Sequence, residues 1–339
     1  MDVGLRVGAR PCPTRRVAAV DRPDLERALA RLRATIDDAR GGIFGPSSRV
    51  WAINREAVIF LGGGRAALLQ LAHPFVAQAV ADHSRTREDM LGRFLRTFEH
   101  VFAMVWGDLD DAAASARRVH AIHTHIRGIV RETTGGVAAG TPYEANQPGA
   151  LLWVHATLWE TSLQIFEMVV RPLSAGEKDA YWEETKRFAA LFGIPAELVP
   201  ADWAAFQRYW DGMLGSDVIR VSPTAHDLAD FLLRAPAWWL GPAWQWLRVV
   251  TARLLPPRLR AEFGLGFGPL ECAVAETSVA ALRAGWWLLP SSLRYLPAYR
   301  EAERRLGVHN RGWAISDQLL DQVVDQLRDR LVWLARVSR

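Results

Sequence analysis

Residues 57–72 read AVIFLGGGRAALLQLA, and this stretch decides between two fold classes. Gly62, Gly64 and Ala67 have the G-x-G-x-x-A spacing of a dinucleotide-binding turn, with an apolar run before it and a helical pattern after it. That fold also needs a second strand, which ends in an acidic residue about 20 residues further on. The chain continues instead with HPFVAQAVADHSRTRED, a helical pattern followed by a polar run. We therefore interpret the glycines as points of close backbone approach, either between packed helices or beside a flat ligand.

Helical periodicity continues along almost the whole chain, whereas alternation with a period of two residues is almost absent. Pro74 predicts a break or kink in the helical pattern that surrounds it. Helices are predicted over residues 23–39, 63–82, 89–105, 110–131, 149–170, 174–192, 201–215, 224–234, 242–254, 269–288 and 315–337. The pattern predicts an all-α protein, with one large helical domain over residues 1–339 and a looser C-terminal part over about 216–339.

Composition and charge exclude several classes of protein. The chain has 339 residues, of which 50% are hydrophobic and 23% charged, so it is not a disordered chain. Its 41 basic and 37 acidic side chains are interleaved without a basic patch, and we expect no nucleic-acid binding. Cys12 and Cys272 are too few for a disulfide scaffold or a cysteine zinc site. No apolar run is long enough for a signal peptide or a spanning helix, so we expect a cytoplasmic protein.

One histidine of the helix predicted over 110–131 lies beside an apolar stripe. On a helical projection His123 falls at the edge of this stripe, His120 lies further away, and His125 points nearly the opposite way. The stripe consists of Val119, Ile122, Ile126, Ile129 and Val130. A neutral imidazole in such a place can donate from one nitrogen and coordinate a metal through the other. A buried core histidine without a ligand is the alternative.

Arg93 and Thr97 lie four residues apart on the helix predicted over 89–105, so they share a face that borders a phenylalanine stripe. An arginine and a threonine beside aromatic rings suit an anionic group next to a flat apolar body. A solvated helix flank is the alternative. His155, within WVHATL, is either a core or cap side chain or a further ligand-binding residue.

Five blocks of sequence, in this order, resemble the rubber oxygenase and MpaB-type oxygenase family. They are VWAINREAVIFLGGGRAALLQLAHPFVAQAVADHS, GRFLRTF, RRVHAIHTHIRG, YEANQPGALLWVHATL and YWEETKRFAALFGIP. The resemblance covers residues 48–215 well and the C-terminal third loosely. It implies an all-α, globin-reminiscent fold that encloses haem b, and an enzyme that uses O2 to cleave carbon–carbon double bonds of a hydrophobic substrate.

The resemblance also implies roles for individual residues. It assigns the proximal iron ligand to His123, and it places Arg93 and Thr97 near the haem or its propionates. We also include His155 among the cofactor-binding residues. Arg96 stands where the latex-clearing members have a lysine that can cap the iron; an arginine keeps its proton and cannot do so, so we expect Arg96 to polarise bound oxygen. A match for the glutamate base of the rubber enzymes is absent.

Fifteen tryptophans are consistent with either a channel for an apolar substrate or a large helical core. The candidates for a channel are Trp153, Trp159, Trp203, Trp238, Trp239, Trp244 and Trp246. The leading prediction is a haem-dependent oxygenase with O2 and a hydrophobic or natural-product molecule as its partners. The alternatives are a haem-binding or lipophilic-ligand-binding protein without turnover and a nucleotide-cofactor oxidoreductase that uses the glycine motif.

Overall fold

The computed structural model describes residues 18–83 and 99–308, and in these ranges the protein is all-α as the sequence predicts. Its helices are α1 Arg22–Arg33, α2 Arg49–Asn54, α3 Gly63–Leu71, α4 Pro74–His83, α5 over 99–106, α6 Leu109–Thr124, α7 Pro148–Val169, α8 Ala175–Leu191, α9 Trp203–Gly215, α10 Pro223–Leu232, α11 Gly241–Leu254, α12 Pro257–Glu262, α13 Pro269–Gly285, α14 Ser291–Arg294 and α15 Pro297–Leu306. Short 3-10 helices include Ala57–Gly62 and Trp286–Leu288. The only sheet of the described ranges pairs β1 Arg127–Ile129 with β2 Pro142–Glu144 in antiparallel register. The predicted helix over 315–337, and most of that over 89–105, fall outside the described residues.

The glycines of residues 57–72 lie where helices approach closely, as one of the two interpretations predicts. A Cβ atom on Gly62 would overlap the side chains of Thr161 and Ile165 on α7. A Cβ atom on Gly64 would overlap the Thr251 side chain on α11. The apolar run before these glycines forms the 3-10 helix Ala57–Gly62, not a strand. The strand–turn–helix arrangement that a dinucleotide requires is therefore not formed.

Helix α7 passes through both apolar clusters of the core. A mostly apolar helix is mostly buried, and α7 buries 15 of its 22 residues, although Glu160, Gln164 and Glu167 stay partly exposed. Its N-terminal half, with Trp153 and Ala156, packs in one cluster. Its C-terminal half, with Trp159 and Ile165, packs in the other. His155 lies close to the point where the two clusters meet.

Helix α6 is shorter than the sequence predicts, and the predicted apolar stripe was wrong. The helix begins after Asp108, whose carboxylate accepts the Asp111 N–H, and it ends at Thr124. The chain then enters β1, so the residues of the stripe beyond Thr124 are not on a helix. Ile122 and Ile129 are 51% and 57% exposed. The face that α6 buries consists of Leu109, Ala112, Ala113, Ser115, Ala116 and His120.

A buried ion pair connects the C-terminal helices to the start of the 57–72 stretch. Glu56 is 2% exposed and accepts hydrogen bonds from the Nε1 of Trp286 at 2.9 Å and from Arg294 at 2.8 and 3.1 Å. A buried carboxylate needs such partners because its desolvation is costly. The contact holds the segment over 286–295 against the 3-10 helix that leads into α3.

Candidate functional site

A cavity of about 220 Å³ lies between α4, α7, α8 and the segment that follows α6. Apolar side chains form most of its wall, among them Phe75 and Val76 from α4, Leu151 and Leu158 from α7, and Phe188 from α8. The polar residues that line it are Gln70, His123, Glu144 and His155. An apolar cavity with a few convergent polar groups is the usual form of a small-molecule site.

His155 lies in the middle of α7 and is 2% exposed. Its Nδ1 accepts a hydrogen bond from the indole Nε1–H of Trp159 at 3.1 Å, whereas its Nε2 has no hydrogen-bond partner. Burial lowers the pKa of His155 to about 3, so the ring is neutral at physiological pH. The ring stacks on Phe188 at 6.2 Å and meets Trp182 edge-on at 5.6 Å.

His123 lies in the last turn of α6, where the helix ends beside the cavity. Its ring is partly buried, and its Nδ1 is fully enclosed and has no hydrogen-bond partner. Burial lowers the pKa of His123 to about 4, and a hydrogen bond with the side chain of Asn146 partly opposes this shift. The carboxamide of Asn146 is itself buried, and its nitrogen donates to the carbonyl of His120 at 3.4 Å and to the hydroxyl of Thr124 at 3.5 Å.

Two neutral imidazoles with an unpaired buried nitrogen therefore line one cavity. A buried polar atom without a partner costs about 1–3 kcal/mol, and such atoms are rare in native proteins. The lone pair of a neutral imidazole is also the commonest metal ligand of proteins. Within residues 18–83 and 99–308, no group of three or more His, Cys, Asp or Glu side chains is arranged to hold a metal ion.

The other candidate residues from the sequence that lie in the described part of the chain do not line the cavity. Arg93, Arg96 and Thr97 belong to residues 84–98, outside the described ranges. His120 is buried, with its Nε2 bonded to the carbonyl of Val20 at 3.0 Å, so it is a paired core histidine. His125 caps α6 at the surface, as the projection predicts.

None of the seven candidate tryptophans, all of them in the described ranges, lines the cavity. Trp153 and Trp159 are 0% and 4% exposed and fill the core, where the Nε1 of Trp153 bonds to the carbonyl of Leu69 at 2.8 Å. Trp238 is 90% exposed. The indole of Trp159 acts on the cavity indirectly, through His155, and Asn146 does so through His123. Neither role was predicted from the sequence, although the spacing of four residues between His155 and Trp159 on one helix is a signal for the first.

Comparison with known proteins gives the chain a family. Residues 50–289 match the family described as "ER-bound oxygenase mpaB/B'/Rubber oxygenase, catalytic domain". An uncharacterized protein of Mycobacterium tuberculosis is 25% identical over 234 residues, which cover 66% of this chain and 87% of the relative. An uncharacterized protein of Mycobacterium bovis shares the same identity and coverage. No solved structure matches.

Among the helices of the described ranges, none is both long enough and apolar enough to cross a membrane. The family match extends well beyond the 48–215 stretch in which the sequence resemblance was clearest, and it includes the elements that form the cavity, α3, α4, α7 and α8. The chain therefore belongs to the mpaB and rubber oxygenase family of oxygenase catalytic domains.

Proposed function

We propose that the protein is a haem b-dependent oxygenase that acts with O2 on a hydrophobic substrate, and that His123 is its iron ligand. The observation that carries the proposal is the unpaired, buried Nδ1 of His123 at the wall of an apolar cavity, in a chain of an oxygenase family. When bound, haem supplies the activation of O2 that side chains lack. We further propose a cytoplasmic location and oxidative cleavage of a carbon–carbon double bond.

The environment of His123 suits an iron ligand. Its low pKa keeps the ring neutral, so a proton does not compete with the metal for the nitrogen lone pair. The hydrogen bond with Asn146 orients the ring, which is the usual task of a residue behind a metal ligand. The apolar walls from α4 and α7 suit the apolar faces of a flat porphyrin.

Three further residues are proposed from the sequence alone. Arg93 and Thr97 are proposed to orient the haem by binding its propionates, because a guanidinium and a hydroxyl are donors to carboxylates. Arg96 is proposed to polarise the oxygen. Residues 84–98, which contain all three, follow directly on α4, a helix that supplies four side chains to the cavity wall.

The test compares absorption spectra of the purified protein, oxidised and reduced, with those of His123→Ala and His125→Ala. We expect a Soret band in the wild type and in His125→Ala, whose histidine is two residues away but at the surface. The band weakens or shifts in His123→Ala and is restored by added imidazole. A His123→Ala protein with the wild-type band contradicts the ligand assignment. A folded, colourless wild type, expressed with haem available, contradicts the whole proposal.

A second candidate is a haem-binding or lipophilic-ligand-binding protein without turnover. The observation that favours it is Arg96, which stands where the latex-clearing members have their lysine and cannot bind iron. Oxygen consumption with polyisoprene and with isoprenoid alkenes separates the two candidates, because only the oxygenase forms carbonyl products.

A further inference from the structure

The two unpaired imidazole nitrogens of the cavity are chemically different. The indole of Trp159 can only donate, so the Nδ1 of His155, which receives this hydrogen bond at 3.1 Å, must be an acceptor without a proton. A neutral imidazole whose Nδ1 accepts carries its single proton on Nε2. The unpaired Nε2 of His155 is therefore an N–H donor and has no lone pair for a metal.

We propose that the Nε2–H of His155 donates a hydrogen bond to an oxygen atom of the molecule in the cavity, and that His155 is not a second iron ligand. Trp159 is the positioning residue that fixes this tautomer. The inference rests on the proposed function only for the identity of the oxygen atom. That atom belongs either to a ligand on the haem iron or to an organic molecule with an apolar body.

Aromatic packing fixes the ring of His155, a residue of the cavity wall. Phe188 stacks on one side of the imidazole and Trp182 meets it edge-on. Trp159 is held in turn by edge contacts with Phe188 at 5.1 Å and Tyr181 at 5.9 Å. Because every one of these rings is buried, they hold the imidazole in place at the cavity wall, with its Nε2 buried and without a partner in the protein.

The donor also restricts the chemical class of the occupant. A wholly apolar molecule would leave the N–H unpaired, whereas a molecule with one carbonyl or carboxylate oxygen beside its apolar body would pair it. A net gain of about twofold to tenfold in affinity is the usual effect of one neutral hydrogen bond. We therefore expect the cavity to prefer oxygen-bearing ligands to hydrocarbons of the same shape.

The first experiment measures the tautomer in the haem-free protein. Histidine-selective ¹⁵N labelling with long-range ¹H–¹⁵N correlation distinguishes protonated from unprotonated ring nitrogens, and His155→Gln assigns the signals. We expect the proton of His155 on Nε2 in the wild type and a mixture of tautomers in Trp159→Phe. His73, whose Nδ1 accepts the Phe75 N–H at 3.2 Å, is the internal control and keeps its tautomer in both proteins. A wild-type His155 with its proton on Nδ1 overturns the proposal.

The second experiment locates the oxygen atom. In haem-free protein, 2-acetylnaphthalene and 2-ethylnaphthalene are fluorescent probes that differ in one carbonyl. If the acceptor belongs to an organic molecule, the wild type should bind the ketone about twofold to tenfold more tightly than the hydrocarbon, and His155→Leu should abolish this preference. The second arm uses haem-loaded protein with carbon monoxide bound. If the acceptor is a ligand on the iron, the C–O stretching frequency should be higher in His155→Leu than in the wild type, because the lost donor no longer weakens that bond.

Either change supports the donor and identifies its partner. If His155→Leu alters neither the ketone preference nor the C–O stretch, the donor role is overturned. The probe experiment and the tautomer measurement need no haem, so they stand even if the protein does not bind it. A missing Soret band thus contradicts the proposed function, and a wrong tautomer contradicts this inference.

Discussion

Asn146 acts on the ring of His123, whose pKa it raises, while its amide nitrogen donates to the carbonyl of His120 at 3.4 Å and to the hydroxyl of Thr124 at 3.5 Å. The last turn of α6 thus provides both the imidazole and the two acceptors that fix the residue behind it. Asn146 is held from its other side as well, because its main-chain carbonyl accepts the Val20 N–H at 2.9 Å. The orientation of His123 therefore depends on a contact between α6 and the residues just before α7.

Replacing Asn146 by leucine should weaken haem binding without removing the ligand. The loss of an orienting partner behind a metal ligand usually costs about 10- to 100-fold in affinity. Haem transfer to apomyoglobin measures this change, and Asn54→Leu is the matched control: its amide is also partly buried, but it bonds to Tyr181, away from the cavity. Equal haem retention in Asn146→Leu and wild type would show that Asn146 does not orient the ligand.

Acid should destabilise the haem-free protein below pH 6.5, through its buried histidines. In the unfolded chain each ring takes up a proton near pH 6.5, whereas burial lowers the pKa of His73 to about 4 and that of His155 to about 3 in the fold. The unfolded state therefore binds more protons in this range, and the free energy of unfolding falls by about 1.4 kcal/mol per pH unit for each ring.

Urea unfolding at pH 7 and pH 5 measures this effect, with His155→Leu as the comparison. The variant lacks one of the three rings with a lowered pKa, those of His73, His123 and His155, so its stability should fall by about 2 kcal/mol less than that of the wild type between these pH values. Parallel losses in the two proteins would mean that His155 does not stay neutral in the fold.

Alanine at Gly62 should destabilise the protein, whereas alanine at Gly63 should not. A Cβ atom at Gly62 meets Thr161 and Ile165, and overpacking of this kind costs about 1–3 kcal/mol. A Cβ atom at Gly63 meets nothing within 4 Å, and the residue begins α3, where alanine is the better helix former. Thermal unfolding tests this prediction by comparing the melting temperatures of Gly62→Ala and Gly63→Ala. If Gly63→Ala is the more damaging change, the glycines serve something other than helix packing.

Removing Arg294 should be far more costly than removing a surface partner. Leucine at this position leaves the 2% exposed carboxylate of Glu56 without its guanidinium, a loss of about 3–5 kcal/mol. The control is Arg304→Leu, because the pair of Arg304 with Glu301 is more than 60% exposed on both sides and contributes at most about 1 kcal/mol. Chemical denaturation compares the variants, and adding Glu56→Gln to Arg294→Leu should recover part of the stability.

The sequence predicted the long helices well, because their signals are local. The pattern over 149–170 became α7 Pro148–Val169, and Pro74 marked the break between α3 and α4. The helix over 110–131 was predicted too long, because Ile126, just before β1, and Ile129, within it, continue the helical spacing by chance. His123 was selected from a stripe of which the fold leaves Ile122 and Ile129 exposed, and the buried histidine of α6 is His120.

The protonation and hydrogen bonding of the two cavity histidines could not be predicted from local sequence signals. The state of the His123 ring depends on Asn146, which lies beyond a β-hairpin and reaches α6 only in the folded chain. The protonation of His155 depends on Trp159, and the spacing of four residues suggests this contact. It also depends on the lack of any other partner for Nε2, which only the packing of α4, α7 and α8 determines.

The passage of α7 through both apolar clusters makes an occupant of the cavity part of the core. The cavity lies against the middle of α7, and the packing of both apolar clusters depends on this helix. A molecule that fills the cavity therefore stabilises the whole domain rather than one loop. A ligand present at 100 times its dissociation constant raises the free energy of unfolding by about 2.7 kcal/mol. The melting temperature thus serves as a readout of substrate recognition, and a panel of apolar compounds with and without an oxygen atom can be ranked before any turnover assay exists.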